Sequence, residues 1–114
     1  MQCVVTNRSW GNFLQFATNK LCTVKILVIR KNQAISLQSH SFRKEDWYVI
    51  SGEGTLNLDG VVSLISQGDC VHIGAKIKHR VTAKTDMQIL EISEGRFRET
   101  DIKRYSDLYG REET

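Results

Sequence analysis

The chain has 114 residues, of which 40% are hydrophobic and 25% charged, so it is large enough for one domain with a single core. It contains no proline, whereas ordinary usage of about 5% would give roughly six, and this excludes collagen-like sequences and proline-rich linkers. The net charge of +3 is small, and the basic residues are scattered rather than gathered in a stripe with aromatic residues. We therefore expect a single compact domain over residues 1–114 that binds no nucleic acid.

Signals for secretion or membrane insertion are missing from the sequence. The N-terminus has neither a basic start nor an apolar stretch of signal-peptide length. The longest aliphatic run, residues 26–29, is far shorter than the roughly 20 residues that cross a bilayer. Cys3, Cys22 and Cys70 are widely spaced and form no Cys-x-x-Cys motif, which favours reduced and mostly buried thiols. We expect a cytoplasmic protein that makes no contact with a membrane.

Short segments rich in β-branched and aliphatic residues predict strands along most of the chain. In chain order, the predicted strands cover residues 22–29, 34–40, 47–50, 55–58, 61–65, 70–73, 80–84 and 87–92. Asp59-Gly60 lies between two of them and is typical of a two-residue hairpin turn with positive φ at both positions. Residues 99–108 instead predict a short C-terminal helix, with Thr100 or Asp101 as its N-cap. Many short strands with tight turns indicate an all-β sandwich or barrel.

Polar side chains with metal-ligating atoms occur at particular places in these predicted strands. Gln38 and His40 share one strand face, because strand side chains alternate with a period of two. Glu45 follows five residues after His40, and His79 directly precedes a later strand. Two imidazoles, a carboxylate and an amide oxygen suit a borderline divalent ion. By itself this scatter also fits ordinary core or surface histidines, so the residue chemistry alone leaves both interpretations open.

The spacing of these residues resembles the two motifs of the cupin family. The first motif is a glycine, five residues, His-x-His, three or four residues, Glu, six residues and Gly. The second is a glycine, five residues, Pro-x-Gly, two residues and His. The corresponding positions here are Asn32, Gln38, His40, Glu45 and Gly52, followed by Gly68, Gly74, Lys76 and His79. The resemblance implies an all-β cupin jelly-roll barrel (a double-stranded β-helix) with a metal in its mouth.

A narrower resemblance covers residues 8–111. Residues 36–47, SLQSHSFRKEDW, resemble the segment LQ-x-H-x-H-R-x-E-H-W of the type II mannose-6-phosphate isomerase domain. That domain also forms the C-terminal part of bifunctional mannose-1-phosphate guanylyltransferases. Residues 8–11 resemble its opening R-P-W-G, 49–52 its V-V-S-G, and 101–111 its closing D-I-x-R-x-x-D-x-Y-G-R.

This second resemblance implies aldose–ketose isomerisation, in which mannose 6-phosphate and fructose 6-phosphate interconvert within sugar-nucleotide and polysaccharide metabolism. A proton moves between C2 and C1 through an enediol while a metal polarises the substrate oxygens. The implied ligands of one divalent ion are Gln38, His40, Glu45 and His79. Zinc is the first expectation, with manganese, iron, cobalt and nickel as alternatives. The family also implies a homodimer and a small phosphorylated sugar as the ligand.

Charged residues near these ligands carry the catalytic and substrate-binding predictions. Arg43 and Arg111 stand at the family's two activity-linked arginines, and both are expected to act in catalysis and to bind phosphate through guanidinium contacts. Arg80 is a further phosphate-binding candidate. Asp46 replaces a family histidine tied to activity and is expected to act as a base, although an aspartate pKa of about 3.9 suits that role poorly at neutral pH. His72 is expected to be structural.

Several positions depart from the family pattern. Phe42 replaces a histidine, and with Asp46 it favours an alternative in which the chain is a non-catalytic module that binds a sugar or a nucleotide sugar. Another alternative is a detached isomerase half that works beside a separate mannose-1-phosphate guanylyltransferase. Gly74 and Lys76 replace a family proline and a family glycine, so the loop before His79 is expected to be less pre-organised.

Overall fold

The structure is a computed structural model that describes residues 4–110. This part of the chain contains eleven β-strands and no helix. The strands are β1 (Val4–Arg8), β2 (Gly11–Gln15), β3 (Cys22–Ile29), β4 (Leu37–Ser39), β5 (Arg43–Ser51), β6 (Glu53–Leu58), β7 (Val61–Ser66), β8 (Cys70–Ile73), β9 (His79–Ala83), β10 (Met87–Gly95) and β11 (Lys103–Ser106).

Two antiparallel sheets pack face to face and enclose the core. One sheet has four strands in the order β3-β10-β5-β8, and the other has five in the order β11-β4-β9-β6-β7. Strands that are far apart in the sequence lie side by side, as they do in a jelly roll. The expected all-β cupin jelly-roll fold is therefore confirmed. The buried core side chains between the sheets are Ile29, Trp47, Val49, Leu56, Ile65, Ile73, Val81, Ala83, Met87 and Ile89.

Most predicted strands lie close to their expected bounds. β3 and β8 match the prediction residue for residue. The Asp59-Gly60 turn is also confirmed, because the two residues have φ of 51° and 88°, and Leu58 pairs with Val61 across it. The sequence does not predict β1 and β2, because these strands are mostly exposed and carry no alternating apolar pattern.

The predicted C-terminal helix over residues 99–108 is wrong. Lys103–Ser106 form β11, which extends the five-stranded sheet by pairing with β4. Asp101 caps no helix; its carboxylate accepts hydrogen bonds from the backbone N–H groups of Ser41 and Phe42, at 2.8 and 3.0 Å. The exposed edge of β4 thus offers this segment backbone partners, and that tertiary pairing overrides a weak local preference for helix.

The alternation of β5 decides which of its side chains reach the barrel interior. Arg43, Glu45, Trp47 and Val49 are buried on the inner face. Asp46 lies between two of them and therefore faces the other side of the sheet. One strand thus directs an arginine and a glutamate into the barrel, directly before the tryptophan and valine that belong to its core.

The expectation of mostly buried thiols is wrong for the cysteines that the structure describes. Cys22 is half-buried at the start of β3, and Cys70 is exposed at the start of β8. Both strands are the outer strands of the four-stranded sheet, so their first residues lie at a corner rather than in the core. Cys3 lies outside the described residues.

Candidate metal centre

Three side chains from separate segments converge inside the barrel. His40 directly follows β4, Glu45 lies on β5, and His79 begins β9. One ligand atom from each lies within 4.8 Å of the others, and all three residues are buried. The Nε2 atom of His40 is 3.7 Å from Glu45 Oε2, and that of His79 is 3.5 Å from Glu45 Oε1.

Both histidines are oriented by backbone carbonyls. His40 Nδ1 donates to the carbonyl of Asp101 at 2.6 Å, and His79 Nδ1 donates to the carbonyl of Ile77 at 2.9 Å. Because a carbonyl oxygen only accepts, each Nδ1 carries the proton and each Nε2 presents its lone pair to Glu45. Fixing the tautomer in this way is typical of histidines that bind a metal through Nε2.

The protonation state of the two imidazoles also suits a metal. Burial is the main cause that lowers the pKa of His79 from 6.5 to about 4. Burial likewise lowers the pKa of His40. Both rings are therefore neutral at pH 7, and the neutral ring is the form that coordinates a metal ion.

Two atoms of this cluster are buried without a hydrogen-bond partner, namely Glu45 Oε1 and His79 Nε2. A buried polar atom left without a partner is destabilising by about 1–3 kcal/mol. A divalent cation would satisfy both atoms at once, since carboxylate oxygen and imidazole nitrogen are common zinc ligands. The residues therefore fit the metal that the fold implies.

Gln38 stands beside this cluster. It pairs with His79 across β4 and β9, and its side chain lines the adjoining cavity. Its Oε1 accepts a hydrogen bond from the hydroxyl of Ser36 at 2.8 Å, and an amide oxygen keeps a second lone pair. Its assignment as the fourth ligand stays a prediction.

A cavity of about 430 Å³ opens next to the cluster. Its volume lies within the range of small-molecule sites. Four basic residues and two acidic residues line it, together with apolar and neutral polar side chains. The charged lining residues are Lys25, Arg30, Arg43, Glu91, Glu99 and Arg104. The excess of positive charge suits a small anionic ligand.

Arg43 connects this cavity to the metal cluster. Its Nε donates to Glu45 Oε2 at 3.2 Å, and its Nη2 donates to His40 Nε2 at 3.2 Å. Its Nη1 donates to the carbonyl of Arg98 at 3.3 Å, and the guanidinium lies 4.5 Å from the centroid of the Phe97 ring. The structure thus brings Arg43 into contact with two of the four predicted ligands, His40 and Glu45.

Other predicted site residues are not brought to this cluster. Asp46 faces away from the barrel interior, and its Oδ1 accepts a hydrogen bond from His72 Nδ1 at 2.8 Å. Arg80 donates to the carbonyls of Ile35 and Ser106, at 3.1 and 2.7 Å, and is not among the residues that line the cavity. Arg111 lies outside the described residues.

Two charged residues of the cavity are predictable from the sequence but are not among the site residues predicted above. Glu91 and Lys25 pair across β10 and β3, and each lies between two aliphatic residues of its strand. A charged residue in such a position is the signal for an inward-facing functional group. Burial raises the pKa of Glu91 to about 7, with the charge of Glu45 as the next cause. Interaction of the Glu91 carboxyl with that of Glu45 adds to this rise in the pKa.

A jelly-roll barrel in which two histidines and a glutamate meet beside an open cavity defines a cupin. The chain belongs to the family described as mannose-6-phosphate isomerase C-terminal, whose model matches residues 2–107.

Curated relatives agree with this family. The chain is 31% identical over 110 residues to the alginate biosynthesis protein AlgA of Pseudomonas putida, with 94% of this chain and 23% of that protein covered. It is 29% identical over 107 residues to a mannose-1-phosphate guanylyltransferase of Salmonella montevideo, with 91% and 23% covered. The chain thus spans 23% of the length of these relatives.

A solved structure supports the fold. A protein with a double-stranded β-helix domain from Klebsiella pneumoniae superposes with a TM-score of 0.62 at 20% identity, over 70% of this chain and 71% of that one. Among residues 4–110, no helix has the length and apolar character to cross a membrane.

Proposed function

We propose that this chain is a metal-dependent isomerase that interconverts mannose 6-phosphate and fructose 6-phosphate. The observation that supports the proposal is the cluster of His40, Glu45 and His79. Arg43 contacts two of these residues and also lines a cavity with an excess of basic side chains. Membership of the mannose-6-phosphate isomerase C-terminal family supports the same reaction. The ligand is a small phosphorylated sugar.

The metal is one divalent ion, with zinc as the first candidate. His40, Glu45 and His79 would hold it, with Gln38 as the fourth ligand. When bound, the ion supplies Lewis-acid polarisation of the substrate oxygens at C1 and C2, which stabilises the charge that develops in the enediol.

Glu91 is our candidate for the group that moves the proton. The reaction needs a base that removes the proton from C2 and returns it to C1. Asp46 was expected to do this from the sequence, but its side chain lies on the opposite face of β5. Glu91 instead lines the cavity beside Glu45, so its carboxyl is within the space that the sugar would occupy.

Basic residues of the cavity would hold the phosphate. Arg43 and Lys25 line it and lie against the Phe97 ring, and Arg30 and Arg104 line the same space. Guanidinium groups suit phosphate oxygens because they donate two parallel hydrogen bonds. The predicted contributions of Arg80 and Arg111 to substrate binding stay predictions.

Metal analysis and an isomerase assay on one preparation test this function. We expect about one divalent ion per chain and turnover of mannose 6-phosphate that a chelator abolishes and zinc restores. His79→Ala is expected to lose the metal and the activity together. The matched control is His72→Ala, because that histidine lies outside the cluster and half-exposed. A chain that binds no metal, or one whose activity survives His79→Ala, would contradict the proposal.

A second candidate function is a non-catalytic module that binds a sugar or a nucleotide sugar. The specific observation in its favour is that Asp46, at the position of an activity-linked family histidine, faces away from the cavity. Tight ligand binding without turnover in the presence of zinc, manganese, iron, cobalt and nickel would favour this candidate over the isomerase.

A detached isomerase half is a variant of the first candidate. The chain spans 23% of its curated relatives, one of which is a mannose-1-phosphate guanylyltransferase. We propose that a separate guanylyltransferase would then work beside it. Stable co-purification of the two proteins from the source cell supports this variant, and independent elution contradicts it.

We also propose that the chain forms a homodimer. The hairpin of β1 and β2 is exposed along nearly its whole length. An isolated two-stranded hairpin is marginally stable in water, so a second chain that covers it would stabilise it.

A further inference from the structure

We propose that Arg43 is a resident cation that occupies the metal-binding atoms in the metal-free protein and must leave them when a metal binds. This inference rests on the proposed metal site. It assigns Arg43 a second role besides phosphate binding, namely control of the access of the metal to its ligands.

The hydrogen bonds of Arg43 occupy two of the metal-binding atoms. Arg43 donates to His40 Nε2 and to Glu45 Oε2, both at 3.2 Å. His40 has no other ring lone pair, because its Nδ1 carries the proton that it donates to Asp101. One lone pair cannot serve an N–H donor and a metal at the same time, so the contact with Arg43 and metal coordination exclude each other.

The positive charge of Arg43 also balances the negative charge of the buried Glu45 carboxylate. Glu45 is buried with an exposed fraction of 1%, and a buried carboxylate without a partner is strongly destabilising. The Arg43 guanidinium, itself only 6% exposed, neutralises this charge in the metal-free protein. A divalent ion at the same atoms would repel the guanidinium at contact distance, so its arrival replaces one cation by another.

The cavity gives the displaced side chain a place to go. Arg43 already lines it and lies over the face of Phe97, so a rotation about its side-chain bonds carries the guanidinium away from the ligands without moving β5. Its third contact, to the carbonyl of Arg98, is with a segment that belongs to no strand. In the cavity the guanidinium would lie where an anionic ligand binds.

This exchange couples the two binding events. Metal binding would release Arg43 toward the anion, and an anion that holds Arg43 in the cavity would free His40 and Glu45 for the metal. Such coupling is reciprocal by thermodynamic necessity.

Zinc affinity, measured by competition with a chromophoric chelator, tests the exchange. We expect Arg43→Met to bind zinc at least tenfold more tightly than the wild type, because no resident cation has to be displaced. The matched control is Lys25→Met. Lys25 is a cation in the same cavity, but it contacts Glu99 and Phe97 rather than the ligand atoms. We expect the control to change zinc affinity less than threefold. Equal effects of the two variants would overturn the proposal.

Thermal unfolding separates this role from a purely structural one. Arg43→Met is expected to lower the Tm of the metal-free protein, because Glu45 loses its counter-charge, and to leave the Tm of the zinc-loaded protein close to that of the wild type. The rise in Tm on adding zinc is therefore larger in the variant. An equal loss of Tm with and without zinc would mean that Arg43 only supports the fold, and would overturn the proposal.

Labelling of the wild-type protein tests the movement without any substitution. Phenylglyoxal modification followed by mass spectrometry is expected to modify Arg43 several-fold faster after zinc is added. Arg80, which is held by Ile35 and Ser106, serves as the internal reference and should not change. Unchanged labelling of Arg43 in a protein that binds zinc and isomerises its substrate overturns this inference alone. A protein that binds no zinc overturns the inference and the proposed function together.

Discussion

At the scale of single residues, Lys76 adopts a backbone conformation that is unfavourable for a residue with a side chain. Its φ is 67°, and its backbone N–H donates to the carbonyl of His40 at 2.6 Å. A non-glycine residue in this left-handed region is destabilised by roughly 1–2 kcal/mol. The sequence already indicated that Lys76 stands where the family has a glycine, and Asn32, at the other replaced motif glycine, has a φ of 66°.

Lys76→Gly is therefore expected to stabilise the protein by about 1 kcal/mol, because the strain removed exceeds the extra entropy of the unfolded chain. Chemical denaturation of the two proteins measures this difference. Lys84→Gly is the matched control, since Lys84 is also an exposed turn lysine but is not among the residues with positive φ. The control is expected to lose stability. A loss of stability in Lys76→Gly as well would contradict the prediction that the Lys76 backbone is strained.

His79 makes the stability of the metal-free protein depend on pH. Its pKa is about 4 in the folded protein, against 6.5 for the ordinary side chain. Between these values the unfolded chain binds more protons, so stability is complete above pH 6.5 and is lost as the pH falls toward 4. The loss for this one residue is on the order of a few kcal/mol.

Urea denaturation of the chelator-treated protein at several pH values measures this dependence. The contribution of Glu91 to stability depends on pH in the opposite direction. Its pKa is raised to about 7, so this contribution is lost as the pH rises through 7. The comparison of wild type with His79→Gln isolates the histidine. We expect a flatter slope between pH 6.5 and 4 in His79→Gln than in the wild type. Parallel slopes in the two proteins would contradict the assignment.

At the scale of elements, the segment between β10 and β11 supports the metal cluster. The Asp101 carbonyl orients His40, while its carboxylate accepts hydrogen bonds from the backbone N–H groups of Ser41 and Phe42, directly before β5. One residue thus holds the turn that carries His40 and the strand that carries Glu45 in a fixed relation. Mutation of a residue that orients a metal ligand typically weakens metal affinity by 10–100-fold.

Asp101→Ala is expected to weaken zinc binding about tenfold and to lower stability by about 1 kcal/mol. The reason is that two backbone N–H groups lose their acceptor and the His40 turn loosens. Asp86→Ala is a matched control, because the Asp86 carboxylate also accepts a backbone hydrogen bond, from Lys31 at 2.8 Å. The control should lose stability but keep its zinc affinity. Chelator competition and denaturation measure both quantities, and unchanged zinc affinity in Asp101→Ala would contradict this role.

The elements also show what the sequence was able to predict. β3 and β8 were predictable because aliphatic runs bounded by turn residues carry a strong local signal. β11 was not, because its strand form depends on the edge of β4, which lies more than sixty residues earlier in the chain. In the site, motif spacing predicted His40, Glu45 and His79. The face of Asp46 follows from strand alternation, but the predicted strand began at residue 47 and β5 begins at Arg43. The pairing of Lys25 with Glu91 is a property of the sheet.

At the scale of the whole molecule, the hairpin of β1 and β2 forms a two-stranded sheet separate from the two sheets of the barrel. The molecule measures 52 × 31 × 22 Å. Five apolar side chains of the hairpin are exposed, and Trp10 at its tip is 72% exposed; the other four are Val4, Val5, Phe13 and Leu14. Phe16, just after the hairpin, anchors it by packing on Tyr48 with ring centroids 5.2 Å apart. The rest of the hairpin is an exposed arm that contributes no residue to the core.

The same chain offers a surface that such an arm would cover. β3 is an edge strand of the four-stranded sheet, and its outward residues Val24, Ile26 and Val28 are 56%, 56% and 67% exposed. Exposed apolar edge strands are normally covered or blocked by charge. We therefore predict a two-fold dimer in which the arm of each chain packs on β3 of the other, since a symmetric exchange buries both surfaces twice.

Ile26→Lys is expected to weaken this dimer at least tenfold, because it places a charge in the centre of the buried face. Sedimentation velocity over a range of concentrations measures the change. The matched control is Val62→Lys on β7, which is 65% exposed on the edge of the other sheet and should leave the dimer intact. Both variants should still bind zinc, since neither residue lies near the cluster. A wild-type chain that sediments as a monomer, or a dimer disrupted by Val62→Lys rather than Ile26→Lys, would contradict the arm exchange and place the interface elsewhere.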